Sequence, residues 1–201
     1  VTPPSDRHYR AHQLDCTRAI ELDPQDTWSF SNRGAARYEQ GDLDGAIADY
    51  EKVIEIKPRD GIAYFNRALC RQQKDDLAGA IADFDRALEL DPQLSSGYLH
   101  RGEARFASGN LNGAIEDYDR TIELDPTSSH AYHGRGMARY EQGDLKGAIL
   151  DYDRSIEIDP RDALAFSNRG TARWALRDLS GAIADFDRAI EIDPRCANAY
   201  T

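Results

Sequence analysis

Histidines and arginines carry most of the chemistry this sequence offers. His130 and His133 stand three residues apart, a spacing that puts both on one face of a helix, and His100 lies on the preceding first helix, in a row expected to adjoin them. Three imidazoles so placed offer a ligand set for zinc, nickel or copper, or a contact whose charge follows pH. The competing reading is polar lining. The arginines are more regular: Arg33 and Arg37, Arg67 and Arg71, Arg101 and Arg105, Arg135 and Arg139, Arg169 and Arg173, with Asp49, Asp83, Asp117, Asp151 and Asp185 recurring alongside them. Counted back across a short turn, Arg33 lies opposite Asp49, which predicts one ion pair per unit; the alternative is a stripe that binds anions. Catalysis finds no support. No serine or cysteine neighbours a plausible base, no glycine loop is built to cradle phosphate, and the carboxylates are periodic, so neither an enzyme nor a cofactor is expected.

The elements that position these residues follow a fixed ruler. Pro24, Pro58, Pro92, Pro126, Pro160 and Pro194 fall 34 residues apart, each closing a tripeptide such as Leu22-Asp23-Pro24. Such a period marks a solenoid, in which each unit buries its apolar face against its neighbours. The division is a partial unit 1–26, full units 27–60, 61–94, 95–128, 129–162 and 163–196, and a stub at 197–201, all within one array. Each unit reads as two antiparallel helices, the first over about 30–40 and the second over 42–56 in the first full unit. Gly41, Gly109 and Gly143 suit a left-handed helix end, and Asp42, Asp76, Asn110, Asp144 and Asp178 are N-cap types. The second helix carries a stripe, Leu43, Ile47, Tyr50 and Ile54, at helical spacing. Gly34, Ala68, Gly102, Gly136 and Gly170 are expected to face Ala46, Ala80, Ala114, Ala148 and Ala182, and close approach of a neighbouring helix is the expected reason for Gly45, Gly79, Gly113, Gly147 and Gly181.

Bulk composition narrows the partners. Asp plus Glu total 36 against 25 Lys plus Arg, a net charge of −11, so nucleic acid and acidic lipid would be repelled. No apolar run is long enough to span a membrane. Cys16, Cys70 and Cys196 are odd in number and far apart, which reads as thiols in a reducing, cytoplasmic compartment rather than a disulfide framework. Glu51, Asp85, Asp119, Asp153 and Asp187, each followed by a base such as Lys52 or Arg86, read as a solvated convex face.

Phe30, Asn32, Gly34, Tyr38, Gly41-Asp42, Ala46-Ile47, Tyr50 and Pro58, repeated nearly intact in the other units, give the chain its family likeness. Over about residues 6–201 it resembles a tetratricopeptide-repeat protein. That resemblance implies an all-α solenoid of helix pairs wound into a right-handed superhelix, whose first helices line a concave groove that binds a peptide segment of another protein. The arginines depart from the family, which usually has a leucine and then an aromatic at those positions.

In a repeat array, rows that recur build the frame, and rows that vary hold identity. The varying rows that face the groove in the family read Trp28, Ile62, Ser96, His130, Leu164; then Ser31, Phe65, Leu99, His133, Ser167; Ala35, Leu69, Glu103, Met137, Thr171; and Tyr38, Gln72, Phe106, Tyr140, Trp174. Apolar and aromatic side chains predominate, which suits the anchors of a peptide. A fifth row, Asn32, Asn66, His100, Gly134 and Asn168, adds amides that either hydrogen-bond an extended backbone or simply belong to the family frame. The lysine and arginine clamp by which one family subtype holds a C-terminal carboxylate is not present in these rows.

The leading expectation is therefore a non-enzymatic scaffold for a peptide or helix of a partner protein. The alternative is a structural module that self-associates end to end through its incomplete terminal units, which also suggest a piece of a longer array; metal binding by His100, His130 and His133 is a minor alternative.

Overall fold

The turn inside each unit shows how the sequence sets the fold. Helix α2 (Thr27–Glu39) ends at Gln40, after which Gly41 takes φ +79°. Its amide donates to the Tyr38 carbonyl, and the Asp42 amide donates to that of Arg37, the paired bonds of a Schellman motif. Asp42 then caps α3 (Leu43–Ile56), its carboxylate accepting from the Gly45 amide at 3.0 Å. In two units the left-handed position holds no glycine: Asp75 sits at φ 63° and Arg177 at 66°. At the other end of α3, Lys57 is extended as its proline neighbour requires. In the units with Leu-Asp-Pro or Ile-Asp-Pro the aspartate adds its own turn: Asp91 accepts from the Gln93 amide and Asp159 from that of Arg161, each at 3.0 Å.

The structure, a computed structural model, describes residues 6–195, with side chains from Gln13 onward. Eleven helices and no strand occur among the described residues: α1 (Asp6–Leu22), α2 and α3, α4 (Gly61–Gln73), α5 (Leu77–Leu90), α6 (Ser95–Ala107), α7 (Leu111–Leu124), α8 (Ser129–Glu141), α9 (Leu145–Ile158), α10 (Ala163–Ala175) and α11 (Leu179–Ile192). The fold is an all-α helical repeat. The side chains of His8 and His12, Cys196 and the stub 197–201 lie outside the described residues. The chain forms two compact units, 1–97 and 98–201. In the first, Phe30, Val53 and Ala63 make one core cluster, Ala46, Tyr50 and Cys70 a second, and Ala68, Ala80 and Phe84 a third. In the second, Tyr118 packs with Ala114 and Ala131, and Tyr152 with Ala148 and Ala172.

Two expectations about small residues are corrected. A Cβ on Gly34 would meet not Ala46 but the ring of Tyr50, at 3.0 Å, and Gly136 likewise faces Tyr152 at 2.8 Å. The first helix is small there because an aromatic from the second lies across it. The Gly45 row answers first to its own cap, since a Cβ there would run into the carboxylate of the capping Asp42; at Gly113 and Gly181 it would also meet Arg105 and Arg173 of the preceding helix, at 3.1 and 3.0 Å.

The arginine row is an internal frame, with twice the expected pairing. Asp49, 2% exposed, takes Arg33 in a fork, Nε to Oδ2 at 3.0 Å and Nη2 to Oδ1 at 2.7 Å, and also accepts from Arg37 Nη1 at 2.8 Å. Arg37 donates to the Gly45 carbonyl as well, so a turn later on α2 meets a turn earlier on α3, the register of an antiparallel pair. The same device recurs at Asp83, Asp117, Asp151 and Asp185. Both arginines of a unit thus converge on one buried aspartate. The acids read as a solvated face are in part recruited: Arg135 Nη1 reaches Asp119 at 2.5 Å and Arg169 Nη1 reaches Asp153 at 2.6 Å, tying each unit to the one before. Burial opposes the charge of Arg135, but Asp151 and Asp119 outweigh it and hold its pKa above the ordinary value.

Candidate functional site

With the recurring rows occupied in the frame, the varying rows on α2, α4, α6, α8 and α10 remain. Their side chains fall into two groups. Trp28, Ile62 and Leu164 stand 68%, 69% and 53% exposed, and Trp174 is exposed too. The larger of the others are half-buried because one side of each packs inward: Tyr38 against Tyr50, Phe65 and Leu69 against Phe84, Leu99 and Phe106 against Tyr118, Met137 and Tyr140 against Tyr152; Ala35 and Ser96 are exposed, and Ser167 is buried. Ser31, Asn66 and Glu103 are also half-buried. Of the asparagines, Asn32 donates through Nδ2 to the Trp28 carbonyl of its own helix at 2.9 Å, and Asn168 Nδ2 lies 2.8 Å from His133 Nε2.

The histidines separate. His133 is held on both ring nitrogens, Nδ1 lying 3.3 Å from the Asp162 carboxylate and Nε2 facing Asn168, with its edge toward the Tyr152 ring. Asp162 also caps α10, accepting from the Leu164 and Ala165 amides. Burial would raise its pKa; His133 and the two amides outweigh that and hold it below the usual value. His100 pairs instead with Glu103, Nδ1 to Oε2 at 2.9 Å, while His130 is exposed. No group of three or more His, Cys, Asp or Glu side chains among the described residues is gathered to hold a metal ion. The expected ligand set of His100, His130 and His133 is therefore not gathered among the described residues: His100 and His133 are held by partners of their own, and His130 is exposed.

Between α6, α7 and α8 a pocket of 240 Å3 opens, lined by Glu103, Phe106, Tyr118, Gly134 and Met137 with His130 and His133 at its side. Gly134 makes it. A Cβ at this position would stand 2.5 Å from Cζ and 2.9 Å from the hydroxyl of Tyr118, so only glycine leaves the phenol where it is.

Models of the tetratricopeptide repeat match residues 32–95, 102–143, 136–176 and 163–196, together most of the chain. The chain belongs to the tetratricopeptide-repeat family. Among solved structures, YrrB, described as a TPR protein with an unusual peptide-binding site, is similar at 24% identity and a TM-score of 0.77, covering 92% of this chain and 95% of that one. MamA is similar at 25% identity and a TM-score of 0.76, over 81% and 95% of the two chains. The MamA of Desulfovibrio magneticus RS-1, residues 41 to the end, is 16% identical with a TM-score of 0.79, over 85% and 97%. At these identities the likeness to YrrB and to the Desulfovibrio protein shows the fold alone. No curated protein matches the chain at a significant level.

In this tetratricopeptide-repeat chain, sequence reasoning missed one residue of the site. Tyr118 belongs to the stripe assigned to the core and is 2% exposed, yet its hydroxyl end borders the Gly134 pocket. The signal was there in the fifth row, where Gly134 replaces an asparagine or histidine. No helix among the described residues is long and apolar enough to cross a membrane.

Proposed function

We propose that the chain is a protein-interaction scaffold that receives a peptide or helical segment of a partner along the varying faces of its first helices. One observation carries this reading. The recurring arginine, aspartate, glycine and N-cap rows are occupied by packing, caps or ion pairs, whereas large apolar side chains of the varying first-helix rows, Trp28, Ile62, Leu164 and Trp174, are exposed. The peptide-binding site named for YrrB supports the same use of the fold. The half-buried Phe65, Leu69, Leu99, Phe106, Met137 and Tyr140 would offer their outer edges to a ligand, with Asn66 and Glu103 between them; Trp28, Ser31, Asn32, Tyr38, His100, His133, Asn168 and Trp174 complete the proposed surface. The acid excess disfavours nucleic acid and anionic lipid as partners.

The test is selection of binding peptides from a phage-displayed library of random dodecapeptides on the intact chain, followed by competition on Trp28→Ala and Ile62→Ser variants. These side chains are exposed, so both variants fold. Loss of binding for part of the selected set supports the reading. Selected peptides that bind every first-helix variant as tightly as the parent place the surface elsewhere.

A second reading has its own observation. Leu179 and Ile183 of α11 are 52% and 60% exposed, whereas Ile47 and Ile149, at the same position as Ile183, pack into clusters with the next first helix. Self-association through this face predicts a mass that rises with concentration in sedimentation equilibrium and returns to monomer on Ile183→Glu; a strict monomer at all concentrations removes it.

A further inference from the structure

The pocket around Gly134 has a definite chemical character. Its walls, Phe106 and Met137, are apolar, and each also packs against a core cluster, which holds them in place. Its floor carries the Tyr118 hydroxyl. Tyr118 is 2% exposed, and its hydroxyl borders the cavity, 2.9 Å from where a Cβ on Gly134 would stand. A hydroxyl so placed can donate to or accept from a ligand atom. Glu103 lines the same pocket, its side chain 39% exposed. His100 bonds one oxygen of that carboxylate, at 2.9 Å, which leaves the other available.

A pocket with apolar walls, a hydroxyl oxygen and a carboxylate matches one kind of protein side chain. We infer that the pocket formed by Glu103, Phe106, Tyr118, Gly134 and Met137 receives a lysine or arginine side chain of a partner protein. The methylene stem lies between Phe106 and Met137, as long basic side chains lie along apolar surface. The cationic head donates to Glu103 and to the Tyr118 oxygen, with the aromatic faces adding to its attraction. An acidic side chain would meet Glu103 with like charge, and a purely apolar one would offer the Tyr118 hydroxyl no bond. The net charge of −11 acts in the same direction, since it draws a basic segment toward the chain before contact.

The inference rests on the proposed use of the first-helix faces, and the dodecapeptide selection tests it separately. Peptides that compete with one another on the second unit are expected to share a fixed lysine or arginine. Their affinity falls on the order of tenfold on Glu103→Gln, and severalfold on Tyr118→Phe, which keeps the ring and removes the hydroxyl. Selection repeated on Glu103→Lys enriches aspartate or glutamate at the fixed position instead, and these peptides bind the parent chain at least tenfold more weakly than the variant. Selected peptides without a fixed basic residue, or unaffected by Glu103→Gln, overturn the pocket assignment; if they still lose binding on Trp28→Ala or Ile62→Ser, the scaffold reading stands without it. A library that yields no binder overturns both.

Discussion

Replacing Asp151 by asparagine keeps the shape and removes one charge from the buried frame. Asp151 accepts from Arg135 Nε at 3.0 Å and Nη2 at 2.5 Å, and from Arg139 Nη1 at 2.7 Å, with its side chain 4% exposed. An amide in its place retains one acceptor and turns a donor toward a guanidinium. Breaking a buried pair by removing one partner costs about 3–5 kcal/mol. Two features lower that figure: Arg139 is 27% exposed, so water reaches it, and Arg135 keeps Asp119. The expected loss is therefore about 2–4 kcal/mol, or roughly 5–15 °C in melting temperature for a chain of this size. The assay is urea unfolding followed by circular dichroism at 222 nm, beside a Glu157→Gln control. That control breaks the exposed Arg154–Glu157 pair, 2.6 Å long with side chains 50% and 63% exposed, and should cost no more than about 0.5 kcal/mol. Equal losses in the two variants would refute the argument that the aspartate row is a buried frame.

Other consequences follow from the turns, the cap and the thiol. Arg177→Gly relieves a left-handed residue at φ 66° and should stabilise the chain by about 0.5–1 kcal/mol in the same urea assay, whereas Gly143→Arg should destabilise it. Asp162 has a pKa below its unfolded value, so its contribution is present above about pH 4 and is lost as pH falls through the depressed value; Asp162→Asn should flatten the acid limb of a stability-against-pH curve. Burial raises the Cys70 thiol to about 11, so at pH 8 a disulfide reagent should leave Cys70 unmodified until urea is added, as read by mass mapping.

What was legible in the sequence is what is local. The 34-residue period, the N-caps and the left-handed glycines each act within a few residues, so their spacing alone places the helices. The number of ion pairs was not local. Arg37 lies a full turn from Arg33, and only its long side chain brings it to the same aspartate, while the Arg135–Asp119 contact depends on how one unit stacks on the one before. Asp75 and Arg177 make the same turn as Gly41 without its residue type, because their amides bond the carbonyls of Gln72 and Trp174 while the next amides, of Asp76 and Asp178, bond those of Arg71 and Arg173. The histidines illustrate the opposite error: position on a helix face is periodic, but partners are not, and Asp162, Asn168 and Glu103 each engage one. Tyr118 was assigned correctly to the core and incompletely to the surface, since its ring fills the interior while its hydroxyl emerges where Gly134 leaves a gap.

The central claim is that recurring rows build the frame and varying first-helix rows meet the partner. Hydrogen–deuterium exchange of the intact chain, with and without a saturating library-selected dodecapeptide, tests it most directly. The account predicts slowed exchange concentrated in α2, α4, α6, α8 or α10. Protection confined to α3, α5, α7, α9 or α11 would contradict it.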